Sequence, residues 1–239
     1  MKKITLIIGI ILISLTSCQI TEKIYLEEDG SGKYNMEIDM SGMMKSIGEM
    51  GSSDEIDSTY VAKDSIINFS DMLIEHKDSI AKLPKEKQEQ LQKMKDVKMI
   101  IHEDKSKNEL SLSIVGIFKN TEELNNLQNI LNATQSEEKQ IPSKYDVNYT
   151  YKKNKFSRKS IKKELTEEQL AKFDESMKGF DMFLSGTTYK LEYHFPKAIK
   201  KTTLKDAQFS EDKKTLYIEK SINDWMNNPA VFDFEVKLK

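Results

Sequence analysis

The 239-residue chain carries 37 basic and 39 acidic side chains, a formal net charge of -2, with 38% hydrophobic residues. Such a balance offers no basic excess for a nucleic-acid backbone, while the hydrophobic fraction is enough to build a packed core. A single cysteine excludes an intramolecular disulfide and a multi-thiolate metal site.

In chain order, Lys2 and Lys3 come first and an apolar run from Ile4 to Leu15 follows, broken only by Thr5, Gly9 and Ser14. A helix needs about 20 apolar residues to cross a bilayer core, so this shorter run reads as a secretion signal over residues 1–17. At its end Leu15-Thr16-Ser17-Cys18 resembles the lipobox of bacterial lipoproteins. That resemblance implies that the Cys18 thiol receives a diacylglyceryl group and, after cleavage, becomes an N-terminus carrying acyl chains such as palmitate. Two or three chains hold a protein on a membrane where one holds it only marginally. Residues 18–21 are then a short lipidated tether and 22–239 one domain of formal net charge -4, the two signal lysines being lost. Gln19 stands where a retention aspartate would, and by resemblance to Gram-negative lipoproteins this implies an outer-membrane protein facing the periplasm.

The mature chain opens with a strand, "EKIYLEE", then Asp29-Gly30-Ser31-Gly32, then the alternating "KYNMEIDM" with Tyr34, Met36, Ile38 and Met40 on one side. The glycines suit a tight turn, so an antiparallel hairpin is expected. Residues 41–60 are small, polar and Met-rich and read as a short helix or mobile loop. From about Tyr60 the spacing of Ile66, Phe69, Leu73, His76, Ile80 and Leu83 predicts a helix, interrupted at Pro84 and restarted by "PKEKQEQLQKM". A second hairpin joins "DVKMIIHE" to "NELSLSIVGIFK" through Asp104 to Lys107. "TEELNNLQNILNAT" reads as a helix with Thr121 as N-cap and Leu124, Leu127 and Leu131 facing inward.

Further on, "KYDVNYTYKKNKFSRKSI" alternates cleanly and turns at Lys153-Asn154. A capping box, Thr166 to Gln169, opens a helix with Leu170, Phe173, Met177, Phe180 and Leu184 on one stripe. The C-terminal third returns to strands: "TYKLEYHF", a pair around "DAQFSEDKKTLYIEK", and "VFDFEVKLK" with Phe232, Phe234, Val236 and Leu238 in phase. One-sided alternation signals antiparallel sheets, since parallel sheets are covered on both faces. The expected fold class is α+β, with antiparallel, curved sheets and amphipathic helices packed on one face. The hairpin with "EEDGSGKY", the segment "YKLEYHFPKAIKKT" and the closing hairpin "AQFSEDKKTLYIEK" resemble landmarks of the LppM-type bacterial lipoproteins. In these a Phe-Pro pair, here Phe195-Pro196, precedes a hairpin carrying Asn-Gly and tryptophan, where this chain has Thr202-Thr203 and Tyr217. The resemblance implies a cell-envelope α+β domain with an apolar cavity.

The motifs assemble no acid, base and nucleophile, so no enzyme is expected. His76, His102 and His194 form no i, i+4 ligand pair; His76 reads as a core-edge residue, His102 as a strand-end residue beside acids, and His194 as lying on the polar side of its strand. "GSGK" at Gly30 to Lys33 lacks the first glycine and the Ser/Thr of a phosphate loop and reads as a turn. Met36, Met40, Met43, Met44 and Met50 have the softness for copper(I), yet methionine is as good an apolar filler; no metal and no cofactor are assigned. Lys152, Lys153, Lys155, Arg158, Lys159, Lys162 and Lys163 run without an intervening acid beside Tyr149, Tyr151 and Phe156, a candidate contact for an anionic headgroup or an acidic partner. The expected function is a membrane-anchored, non-enzymatic envelope lipoprotein binding a lipid or other apolar ligand near the bilayer, with no nucleic-acid partner. The alternative is an assembly lipoprotein holding another envelope protein through a sheet edge or the 152–163 hairpin.

Overall fold

The computed structural model describes residues 18–42, 62–133, 144–178 and 186–239. The signal segment, most of the Met-rich span and the last turns of two expected helix stripes, including Phe180 and Leu184, lie outside the described residues, as do the side chains of Leu131 and Met177.

Strands β1 (Gln19–Leu26) and β2 (Gly32–Asp39) form the expected antiparallel hairpin. Gly30 closes its turn with φ of 88°, a conformation that costs a residue with a Cβ strain. Gly32 is required for another reason: a Cβ there would lie 2.0 Å from the Tyr25 carbonyl oxygen and 2.5 Å from Phe118 Cζ. Since one wall of that space is backbone, Gly32→Ala is expected to destabilise the fold by about 1–3 kcal/mol. A urea midpoint shifted down at unchanged slope checks it; an unshifted midpoint would show that the hairpin relaxes freely.

β3 (Lys63–Asn68), β4 (Lys98–Asp104) and β5 (Glu109–Phe118) continue the first sheet. β8 (Thr188–His194), β10 (Gln208–Phe209) and β11 (Thr215–Ser221) complete it in the order β10-β11-β8-β1-β2-β5-β4-β3. β1 and β8 run parallel, Gln19 opposite Thr188 and Tyr25 opposite His194, while the other pairs are antiparallel. The sheet is therefore mixed. A wholly antiparallel expectation fails at this one pair because the hairpins are local in sequence, whereas β1 and β8 meet only after a long crossover.

A second, antiparallel sheet has the order β6-β7-β12-β9, from β6 (Tyr145–Lys152), β7 (Lys155–Lys162), β9 (Ile199–Thr202) and β12 (Phe234–Leu238). Its β6–β7 turn uses Lys153 and Asn154 at φ of 52° and 58°, the paired left-handed conformations of a tight two-residue hairpin, achieved without glycine. Register fixes the faces. Ile24, Tyr34, Leu191, Tyr193, Leu216 and Ile218 of the large sheet point to one side and are buried. The small sheet presents Tyr149, Phe156, Phe234, Val236 and Leu238 to them. Rings from the two sheets touch edge to face: Phe156 and Tyr193 lie 5.7 Å apart, Phe156 and Phe195 5.4 Å. The opposite face of the large sheet is polar and carries the Lys23–Glu37 pair at 3.0 Å.

Six helices are described: α1 (Phe69–Glu75), α2 (Lys77–Ile80), α3 (Lys85–Gln92), α4 (Thr121–Ala133), α5 (Glu167–Lys178) and α6 (Ile222–Asn227). A 3-10 turn spans Pro229–Phe232. The fold is α+β. Much of the inner face of β1, β8 and β11 is covered by the second sheet, where the alternation alone suggested helices. α4 sets Leu127 against Gly116 of β5, and its Asn125 side chain bonds the Tyr149 backbone through both amide groups, at 2.6 and 3.2 Å.

Two local expectations change. The helix expected from Tyr60 starts at Phe69; Ile66 belongs to edge strand β3, paired with Ile100, because the β-branched pair Ile66-Ile67 fits a pleated ladder as well as a helix stripe. The N-cap of α4 is Asn120, whose Oδ1 accepts from the Glu122 and Glu123 amides at 3.0 Å, while Thr121 is the first helical residue. The capping box of α5 is present as read, with Thr166 and Gln169 exchanging bonds of 3.0 and 3.2 Å.

Candidate functional site

Cys18 is already stitched into the large sheet. Its carbonyl accepts from the Thr188 amide at 3.2 Å, and β1 starts at the next residue, inside the span read as a tether. A group attached at Cys18 is thus fixed to the start of β1 without a flexible leash.

β1 is in turn bolted to the second sheet by a buried polar cluster. Glu22 sits at the centre of the inner face, where neighbours Ile20, Ile24 and Leu26 share its parity, and is 0% exposed. Its carboxylate accepts from Tyr149 at 2.6 Å, from Tyr189 at 2.7 Å and from Tyr193. Arg158, the one arginine of the chain, is also 0% exposed, with Nη2 3.9 Å from Glu22 Oε2 and Nη1 donating to the Phe232 carbonyl at 3.3 Å. Burial and the Glu22 charge hold all three tyrosine hydroxyls well above the ordinary phenol value, so they are donors at any physiological pH. Burial works against the Arg158 charge, but facing Tyr193 and Glu22 raise its pKa well above the free value.

At the Cys18 end of the sheet lies an open groove of about 480 Å³. The register places it there: Thr188 opposes both Gln19 and Ser221, so the end of β11 and the α6 that follows lie beside the anchor. Strands are spaced by about 4.8 Å, which puts the β11 wall about 10 Å across the sheet from β1. Leu204, Ile218 and Val231 form the apolar lining; Asp206, Lys220, Asp224, Asn227 and Asn228 form the polar one. Lys220 Nζ donates to Asp206 at 2.8 Å, and this bond lowers the Asp206 pKa. Trp225, the one tryptophan, stacks on Tyr189 at 5.0 Å in the same helix that supplies Asp224 and Asn227.

The basic segment does not form one surface. Arg158 points inward to Glu22 and is unavailable to a headgroup, because β7 alternates and places it in phase with buried Phe156. Lys152, Lys153 and Lys155 lie around a turn next to Gly30, since Tyr151 of the same strand would touch a Cβ there at 3.4 Å; this is the end of β1 remote from Cys18. Lys159, Lys162 and Lys163 are exposed toward the other end of the hairpin, where Lys163 pairs with Asp146 at 3.1 Å. Lys155 is paired with Glu235 at 2.8 Å.

The histidines separate too. His76 is exposed at the α1–α2 junction rather than at a core edge. His194 lies on the polar side of β8 as expected, stacked on Tyr25 at 4.3 Å and bonded to Glu192 at 2.9 Å. His102 Nδ1 meets Asp64 of β3 at 2.7 Å, with Glu109 3.6 Å from Nε2. The Asp64 bond raises the His102 pKa above 6.5, so this contact is fully present below about pH 6.5 and is lost as pH rises through the higher folded value. Amides of β3 are therefore expected to exchange faster above that range, after correction for intrinsic rate, and His102→Gln should abolish the pH dependence. Unchanged protection between about pH 5.5 and 8.5 would contradict it.

Met36 is half-buried against the core and Met40 half-buried at the end of β2, whereas Met43, Met44 and Met50 lie outside the described residues. Among the described residues no three His, Cys, Asp or Glu side chains are grouped to hold a metal ion, and no helix is long and apolar enough to cross a membrane.

No protein-family model and no curated protein matches the chain. Among solved structures, the folded domain of LppM from Mycobacterium tuberculosis is similar at 8% identity and a TM-score of 0.40, covering 93% of this chain and 89% of that one.

Proposed function

We propose that this protein is a non-enzymatic lipoprotein of the cell envelope, anchored through acylated Cys18 in the outer membrane and facing the periplasm, which binds a lipid or other apolar ligand close to the bilayer. The observation that carries this reading is the continuity of Cys18 with β1, together with a groove at that same end of the sheet. A lipid anchor at Cys18 brings the groove against the headgroup layer, where an amphiphile can enter from the membrane without crossing water. The groove's volume lies within the usual range for small-molecule sites, about 300–1,000 Å³, and its lining of three apolar and five polar residues suits an amphiphile. Phe156 packs against Tyr193, Phe195 and Phe234 between the sheets, and the groove is the binding surface in this reading.

Native mass spectrometry of the mature lipoprotein extracted in mild detergent tests this. One bound lipid per chain is expected in addition to the acyl mass on Cys18, with at least a fivefold lower occupancy in Leu204→Trp, which fills the groove. A clean acylated mass with no second lipid would oppose the reading.

A second reading, an assembly lipoprotein that holds another envelope protein by its sheet edge, is favoured by Ile66 and Ile67 of edge strand β3, which are 60% and 43% exposed. Crosslinking from β3 in intact cells would identify such a partner.

A further inference from the structure

We propose that the anchor-end groove selects a zwitterionic phospholipid with a primary amine headgroup over an anionic one, because the Lys220 ammonium is set among two carboxylates and two amides beside an apolar wall. This rests on the reading of the groove as a lipid site.

The charges in the lining are Lys220, Asp206 and Asp224, and Lys205 beside them also acts on Asp206. With Lys205 counted, two ammoniums face two carboxylates, so the site favours a headgroup that carries both signs of charge. Lys220 is already committed to Asp206 at 2.8 Å. A phosphate alone would have to draw Lys220 away and strand the carboxylate. A headgroup carrying both phosphate and ammonium exchanges partners instead: phosphate oxygens accept from Lys220, and the ammonium donates to the released Asp206 and to Asp224. Every charge taken from water then keeps an opposite partner, the condition under which buried or half-buried charges are tolerated.

The kind of amine follows from hydrogen-bond inventory. A primary ammonium has three N–H donors to offer carboxylates and amide oxygens. A quaternary ammonium has none, and its usual recognition is by a cage of aromatic faces. The one indole near the groove is already stacked on Tyr189. The amides of Asn227 and Asn228, both exposed, supply further acceptors and donors for ester and phosphate oxygens. The acyl stem lies along Leu204, Ile218 and Val231.

The test uses the mature, acylated protein in nonionic detergent, titrated separately with short-chain phosphatidylethanolamine, phosphatidylcholine and phosphatidylglycerol. Trp225 fluorescence provides the signal, and native mass spectrometry counts bound lipid. Phosphatidylethanolamine is expected to bind at least tenfold more tightly than either other lipid, and Asp224→Asn or Lys220→Gln to reduce that preference below threefold with binding retained. Equal or tighter binding of phosphatidylglycerol or phosphatidylcholine, with binding in the groove intact, would overturn the headgroup assignment and leave the lipid-site reading standing. Absence of binding by all three, with no co-purifying lipid, would overturn both.

Discussion

Arg158→Leu is expected to lower the stability of the folded domain by about 3–5 kcal/mol, the cost of leaving one member of a buried ion pair uncompensated. Leucine replaces much of the hydrophobic volume against Phe232 but removes the Arg158 cation from beside the fully buried Glu22 carboxylate. Glu22→Gln should also destabilise, since the buried guanidinium then lacks its charge partner and the tyrosine hydroxyls lose their strongest acceptor. Because both substitutions break one network, the double variant should be less destabilised than the sum of the singles by about 1 kcal/mol or more. Urea unfolding of all four proteins closes this cycle. Additive losses would show that Arg158 is held by the Phe232 carbonyl and ring alone and that Glu22 does not feel its charge.

Cys18→Ser is expected to abolish incorporation of labelled palmitate completely, and a chain exported with an ordinary cleavable signal ahead of Gln19 should leave the membrane fraction. The physical basis is additive: each buried methylene contributes roughly 0.8 kcal/mol, so two or three chains make detachment negligible and their loss makes it complete. Cys18→Ser should not unfold the domain, because it keeps the backbone carbonyl that accepts from Thr188 and, among the described residues, the Cys18 side chain belongs to no packing cluster. Retained palmitate labelling in the serine variant would refute acylation at Cys18.

The hairpin turns, the α5 capping box and the strands other than β3 and β9 were legible because each is a local pattern: turn residues, Thr and Gln three apart, and period-two alternation. The β1–β8 parallel pair was not, because pairing partners so distant leave no local mark. Ile66 shows the ambiguity of short apolar runs, matching a helix stripe and an edge strand equally well. The buried cluster had a faint signal on each side. Glu22 shares parity with Ile20, Ile24 and Leu26, and a lone arginine among lysines occupies the phase of Phe156 in β7. Read as a run of charge, the 152–163 segment looked like one basic surface; read by strand phase, its arginine turns inward. The groove was not legible at all, since its walls come from β11, α6, the 3-10 turn and the loop after β9, brought together only by the fold.

The proposed function places the Cys18 end of the large sheet, with its groove, at the bilayer surface. The most direct measurement is quenching of the single tryptophan, Trp225, by spin-labelled lipids in vesicles carrying the acylated protein. Strong quenching by headgroup and shallow acyl labels, weakening with label depth, is the expected result. Trp225 emission that is indifferent to every label would place α6 and the groove away from the membrane and contradict the account.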